Sequence, residues 1–86
     1  MTSKHCNIYA SNKKPDLYIY IEASSDIEEV LPDAIAQYCG SYRFVMGLLI
    51  TADKKLARAS ASDVLQAIDD QGFYLQMPPG ENQIAS

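Results

Sequence analysis

The sequence has one histidine and two cysteines in 86 residues. That scarcity removes most metal and thiol chemistry at once. His5, Cys6 and Cys39 cannot complete a four-ligand zinc site without carboxylates, so no metal and no cofactor is expected. Two cysteines make no disulfide framework; they read as reduced, buried thiols that pack as small apolar side chains. Long apolar runs are missing too. The longest, residues 44–50, is seven residues, far short of a bilayer span. Residues 1–6 hold no apolar stretch of signal-peptide length, so the expected compartment is the cytoplasm, with no membrane partner. Basic charge is in deficit: 7 Lys and Arg against 11 Asp and Glu give a net charge of −4. A basic surface for nucleic acid or anionic lipid is therefore not built into the composition. No P-loop, dinucleotide fingerprint, nucleophile elbow or zinc-protease helix occurs. Without a paired-carboxylate constellation either, the expectation is that the protein is not an enzyme.

What is present is the makeup of a small folded domain. Hydrophobic residues form 48% of the chain and charged residues 21%, an ordinary balance for a globular protein. A chain of 86 residues supports one thin core and a stability of roughly 4–13 kcal/mol. We read a single domain over residues 5–79, expected to be a monomer. Residues 80–86 are polar and follow a Pro-Pro-Gly stop, which predicts a disordered tail.

Residues 6–11 alternate Cys6, Ile8 and Ala10 with Asn7, Tyr9 and Ser11, the period of a half-buried strand. Asn12, Pro15 and Asp16 supply turn chemistry. In residues 17–22, Leu17, Ile19 and Ile21 face one way and Tyr18, Tyr20 and Glu22 the other. The short connection predicts an antiparallel hairpin. Apolar residues then recur at helical spacing through Ile27, Val30, Leu31, Ala34, Ile35 and Tyr38. Pro32 divides the stretch into a loose turn at 26–30 and a helix over 32–39, with Gly40 placed for a left-handed cap. Residues 42–50 are apolar on both faces, which predicts a central strand with Val45 in the core. Residues 55–58 suggest a short additional strand. Ser60 is placed to cap a helix with Asp63 three residues on; Ala61, Val64, Leu65 and Ile68 form its apolar stripe. Gly72 ends that helix, and 73–77 form the last strand. The order β-β-α-β-(β)-α-β predicts an α+β fold: a two-layer sandwich of a small, mostly antiparallel or mixed sheet with two short helices. Ile8, Ile19, Val45, Leu65, Ile68 and Leu75 are the expected core.

Four blocks give this chain a family likeness. They are Cys6-x-Ile8-Tyr9-x-Ser11; Tyr18-Ile19-Tyr20-Ile21; Met46 followed by Lys55-Leu56 ahead of the helix that ends at Gln71; and Gly72-Phe73-Tyr74-Leu75-Gln76-Met77-Pro78-Pro79. In order and spacing they resemble the YcgL-domain family of small bacterial proteins, over residues 6–79. Leu31 between Val30 and Pro32, and Tyr42 where many members carry proline, depart from the pattern. The resemblance implies a compact α+β domain of the gammaproteobacterial cytoplasm. It does not deliver a function.

Two features could bind something. Tyr9, Tyr18 and Tyr20 are expected on the strand face opposite the Ile/Leu side, with Tyr74 and Gln76 beside them. An open face of this kind would stack nucleobases; a covered one would hold the same rings as spacers that pair across strands. Lys13, Lys14, Lys54, Lys55 and Arg58 lie on turns or a short edge strand, where they could converge on an anion or simply keep the surface soluble. Cys6 would be reactive only with a lowered pKa, and His5 points to the opposite face of the strand. Asp26, Glu28, Glu29 and Asp33 read as a solvated acidic stretch. Pro78-Pro79 reads as a strand stop. The expectation is a small interaction module with a protein partner; the alternative is a weak RNA- or nucleotide-binding accessory domain that uses the tyrosines and the basic turns.

Overall fold

A computed structural model describes residues 3–53 and 60–77. The hairpin pairs β1 (Ser3–Ser11) with β2 (Tyr18–Glu22) antiparallel, Ile8 opposite Tyr20 and Tyr9 opposite Ile19. Its turn is tied by one hydroxyl. Ser11 Oγ accepts from the Lys13 and Lys14 N–H groups at 3.1 and 2.9 Å and donates to the Cys39 carbonyl at 2.6 Å. Asp16 takes a left-handed φ of 65°, a conformation that aspartate tolerates because its short side chain bonds locally.

The stretch around Pro32 folds as the sequence indicates. A single helical turn, α1 (Ile27–Val30), is capped by Asp26, whose carboxylate accepts from the Glu28 N–H at 3.0 Å. Pro32 occupies the N-cap position of α2 (Asp33–Cys39), and Gly40 closes that helix at φ +66° and ψ −147°, a glycine conformation outside the left-handed helical region expected there. β3 (Tyr42–Thr51) follows, and then α3 (Ala61–Gln71), capped by Ser60. Gly72, at φ +92°, turns the chain into β4 (Phe73–Gln76).

The sheet is antiparallel throughout, in the order β3-β1-β2-β4. The α+β class and the antiparallel sheet thus agree with the sequence. The helices take opposite faces of the sheet, which becomes the middle layer. On one face α3 packs Ala61, Val64, Leu65 and Ile68 onto Cys6, Ile8, Tyr20 and Ile50. On the other, Ile27 of α1, Leu31 and Cys39 of α2 cover Leu17, Ile19 and Ile21, with Phe73. Ile8, Ile19, Leu65 and Ile68 are buried as expected. Leu75 is half-buried against the α1/α2 core.

Two expectations are overturned. Among the described strands β3 ends the sheet instead of lying inside it, pairing only with β1. Val45, expected in the core, is 45% exposed. The cause is coverage. Two short helical segments and one of eleven residues cannot roof four strands on both faces. α1 and α2 lie over β2 and β4 and meet the start of β3 at Tyr42, and the α3 core reaches β3 through Ile50 and Leu48. The middle of β3 is left bare. The pairing of β1 with β3 also slips by one residue between Ile8, opposite Met46, and Tyr9, opposite Phe44; Val45 is the extra residue of this bulge. The short strand predicted at 55–58 and the tail at 80–86 lie outside the described residues.

Candidate functional site

The expected tyrosine face does not assemble. The antiparallel register sets Tyr9 opposite Ile19, on the α1/α2 side, whereas Tyr20 lies opposite Ile8 on the α3 side with Tyr18. The grouping of Tyr9 with Tyr18 and Tyr20 is therefore corrected. Alternation was read correctly within each strand, but the relative phase of two strands is set by register, which one strand's period does not contain.

The two halves have different surroundings. On the α3 side Tyr20 is buried, and its hydroxyl donates to Gln76 Oε1 at 2.9 Å. Its ring meets Tyr74 edge-on, centroids 5.8 Å apart. Burial is the main reason the Tyr20 hydroxyl titrates above its ordinary range, with the Tyr74, Tyr18 and Cys6 groups adding to it. Tyr18 and Tyr74 pack half-buried against the α3 core. Tyr20, Tyr74 and Gln76 thus form a cross-strand packing unit between β2 and β4. On the other side Tyr9 stands between Tyr42 and Phe44, edge-on to each at 5.7 Å.

The basic residues are dispersed. Lys14 Nζ lies 4.6 Å from the centre of the Tyr38 ring, a cation–π contact. Lys13 is exposed, and its stem passes over Gly40, where an added Cβ would come within 2.9 Å of Lys13 Cβ. Lys54, Lys55 and Arg58 lie outside the described residues. The structure adds a cation that the sequence reading missed: Arg43 Nη1 donates to Asn12 Oδ1 at 2.7 Å, and Asn12 Nδ2 donates to Ser41 Oγ at 3.1 Å. This links the β1–β2 turn to the start of β3.

Cys6 is buried, and burial pushes its thiol up to about 11, helped by the Glu22 carboxylate and opposed by Lys4. The Cys39 thiol is also raised by burial. Neither is poised as a nucleophile at neutral pH, because the thiolate is the reactive form. Lys4 is engaged with Asp69 at 3.0 Å, beside an open cleft of about 400 Å³ that includes His5, Glu22 and Leu49. Among the described residues no group of three His, Cys, Asp or Glu side chains is placed to hold a metal. No helix among them is long and apolar enough to cross a membrane.

The most unusual surface is the one that the sequence reading placed in the core. Phe44, Val45, Met46 and Leu49 are 58%, 45%, 47% and 44% exposed, and they are the exposed large apolar side chains of the described residues. All four lie on β3, whose only charged residue is Arg43. Edge strands ordinarily carry lysine, proline or an inward-pointing charge to block pairing with another chain. β3 carries none of these three; of the other edge devices it has the bulge at Val45 and the exposed charge of Arg43. In sequence the run could not be told from a doubly buried strand, since both read as continuous apolar residues.

Comparisons with known proteins agree on ancestry. The family model for the YcgL domain matches residues 6–79. A YcgL domain-containing protein of Hahella chejuensis is 45% identical over 73 residues, covering 85% of this chain and 68% of the relative. One from Chromohalobacter salexigens is 43% identical, covering 92% and 81%. One from Pseudomonas aeruginosa is 38% identical, covering 91% and 79%. With a family match across nearly the whole sheet and relatives of this similarity, the chain belongs to the YcgL domain family.

Proposed function

We propose that this domain is a protein-interaction module that works through the outer edge of β3, by adding an extended polypeptide strand to its sheet. The observation that carries this reading is the concentration of exposed Phe44, Val45, Met46 and Leu49 on one edge strand of ten residues. Among the described residues nothing pairs with that side of β3, which there offers backbone donors and acceptors together with apolar side chains on both faces. The first supplies affinity and the second specificity in strand addition. The aromatic trio Tyr9, Tyr42 and Phe44 provides a rigid contact at one end of that edge, and aromatic side chains of this kind anchor interfaces. An RNA-accessory role has less support, because the tyrosines divide between two faces and Tyr20 is buried.

The test is capture of partners by the tagged domain, with and without nuclease, using the unaltered chain and Val45→Lys. The proposal expects proteins that persist after nuclease and are lost with Val45→Lys. Recovery that depends on nucleic acid, or that Val45→Lys leaves unchanged, would overturn it.

A further inference from the structure

We infer that the β1–β3 half of the sheet face on the α1/α2 side binds an arginine-bearing extended peptide, its guanidinium on the Tyr9, Tyr42 and Phe44 rings beside Glu28 and Asp26. This goes beyond strand addition at β3 and does not depend on it, because the surface is a face of the sheet and not its edge.

The register places the rings. Residues directly opposite each other in antiparallel strands share a face. Tyr9 lies opposite Ile19, which is in the α1/α2 core. Phe44 lies opposite Tyr9, and Tyr42 opposite Ser11, whose hydroxyl donates to the α2 residue Cys39. All three rings are therefore on the α1/α2 side. Tyr9 meets both of the others edge-on at 5.7 Å, so the trio is held as one unit by its own contacts. Tyr9 and Tyr42 pack half-buried against the α1/α2 core, whereas Phe44 is 58% exposed.

A polar group stands next to the rings. Asn7 is two residues before Tyr9 and shares its face. Gly47, opposite Asn7, puts no side chain over it: a Cβ there would stand 3.6 Å from Asn7 Oδ1. The Asn7 amide is half-buried and makes no hydrogen bond to another described residue. It carries both a donor and an acceptor, the pair that a peptide unit of an extended chain presents in complement.

Charge selects the ligand. Asp26 and Glu28, at the start of α1, are exposed. Burial first, and then the Glu28 and Asp26 carboxylates, hold the Tyr42 hydroxyl above its ordinary range. Both acids thus act at the aromatic end of the face. The described cations nearby are engaged elsewhere. Arg43 lies opposite Ala10, on the Tyr18 side of the sheet, and its Nη1 donates to Asn12. The Lys13 stem passes over Gly40. Lys14 Nζ lies 4.6 Å from the centre of the Tyr38 ring. Tyr38 packs on the same core as Tyr9 and Tyr42, so the chain itself already sets a cation on an aromatic ring of this cluster. Aromatic faces attract cations electrostatically, and carboxylates beside them add to the attraction. Arginine suits the rings better than lysine because its planar guanidinium stacks on them. The same carboxylates repel phosphate, which sets this face against nucleic acid.

The probe is the capped peptide Gly-Ser-Gly-Arg-Gly-Ser-Gly, titrated into the full chain while the tyrosine ring resonances are followed. One such contact gives a Kd of about 1 mM, so the titration runs to about 5 mM. The Tyr9 and Tyr42 rings should shift saturably, and less at high salt. A peptide with citrulline in place of arginine keeps the shape without the charge and should bind about fivefold more weakly or worse. That comparison alters only the probe, so no variant's folding bears on it. Phe44→Ala should weaken binding about fivefold and Glu28→Lys about threefold or more, both with unchanged circular dichroism because the two side chains are exposed. Equal binding of the arginine and citrulline peptides, shifts confined to other tyrosines, or no shift at all overturns the inference. So does a seven-nucleotide uridine RNA that shifts Tyr9 and Tyr42 more strongly than the arginine peptide.

Discussion

Ile68→Ala and Val45→Ala compare the loss of similar atoms from two residues that the sequence pattern alone would both bury. Ile68 is 6% exposed and sits on α3 in the cluster with Cys6, Ile8, Tyr20 and Ile50. Truncation removes three carbons, worth about 2.4 kcal/mol at ~0.8 kcal/mol per methylene. The space left between helix and sheet closes only in part, which brings the expected cost to about 3 kcal/mol. Against a total of roughly 4–13 kcal/mol, that is a large share, and the midpoint should fall by roughly 12–24 °C for a domain of this size. Val45 is 45% exposed at a bulge on the sheet edge. It leaves no enclosed cavity, so its loss should cost under about 1 kcal/mol. Urea titration followed by circular dichroism measures both. Equal losses for the two variants, or an Ile68→Ala cost under about 1 kcal/mol, would refute the assignment of core and edge.

Two further outcomes follow from single groups. Ser11→Ala removes a hydroxyl that donates to the Cys39 carbonyl and accepts from two backbone N–H groups. It should cost about 1–3 kcal/mol, read as a lowered urea midpoint; an unchanged midpoint would show that the turn is not held by this residue. Cys6 should resist thiol reagents in the folded protein near neutral pH and gain reactivity only as pH approaches its raised value of about 11. Because the folded state keeps this proton more tightly than the unfolded chain, the associated stability is fully present below about pH 8.5, the free thiol's range, and is lost as pH rises toward the folded value. Rapid labelling of native Cys6 at pH 7 would contradict this.

The sequence by itself determined most of the local structure. The alternation in residues 6–11 and 17–22, the breaker chemistry of Asn12, Pro15 and Asp16, the Pro32 division, the Ser60 cap and the glycines at 40 and 72 each act within a few residues, and each appears where its chemistry places it. The family likeness was legible for the same reason, being carried by short strings in fixed order. What the sequence could not contain was the relation between strands. The register of β1 on β2, which sends Tyr9 and Tyr20 to opposite faces, depends on contacts between residues far apart in the chain. The strand order, which puts β3 at the end of the described sheet, depends on which free edge of β1 it joins and how far three short helical segments can reach. An apolar strand reads the same whether roofed on both faces or left open. Only the packing of the helices decided that residues 44–49, which the sequence pattern places in the core, form the candidate docking surface.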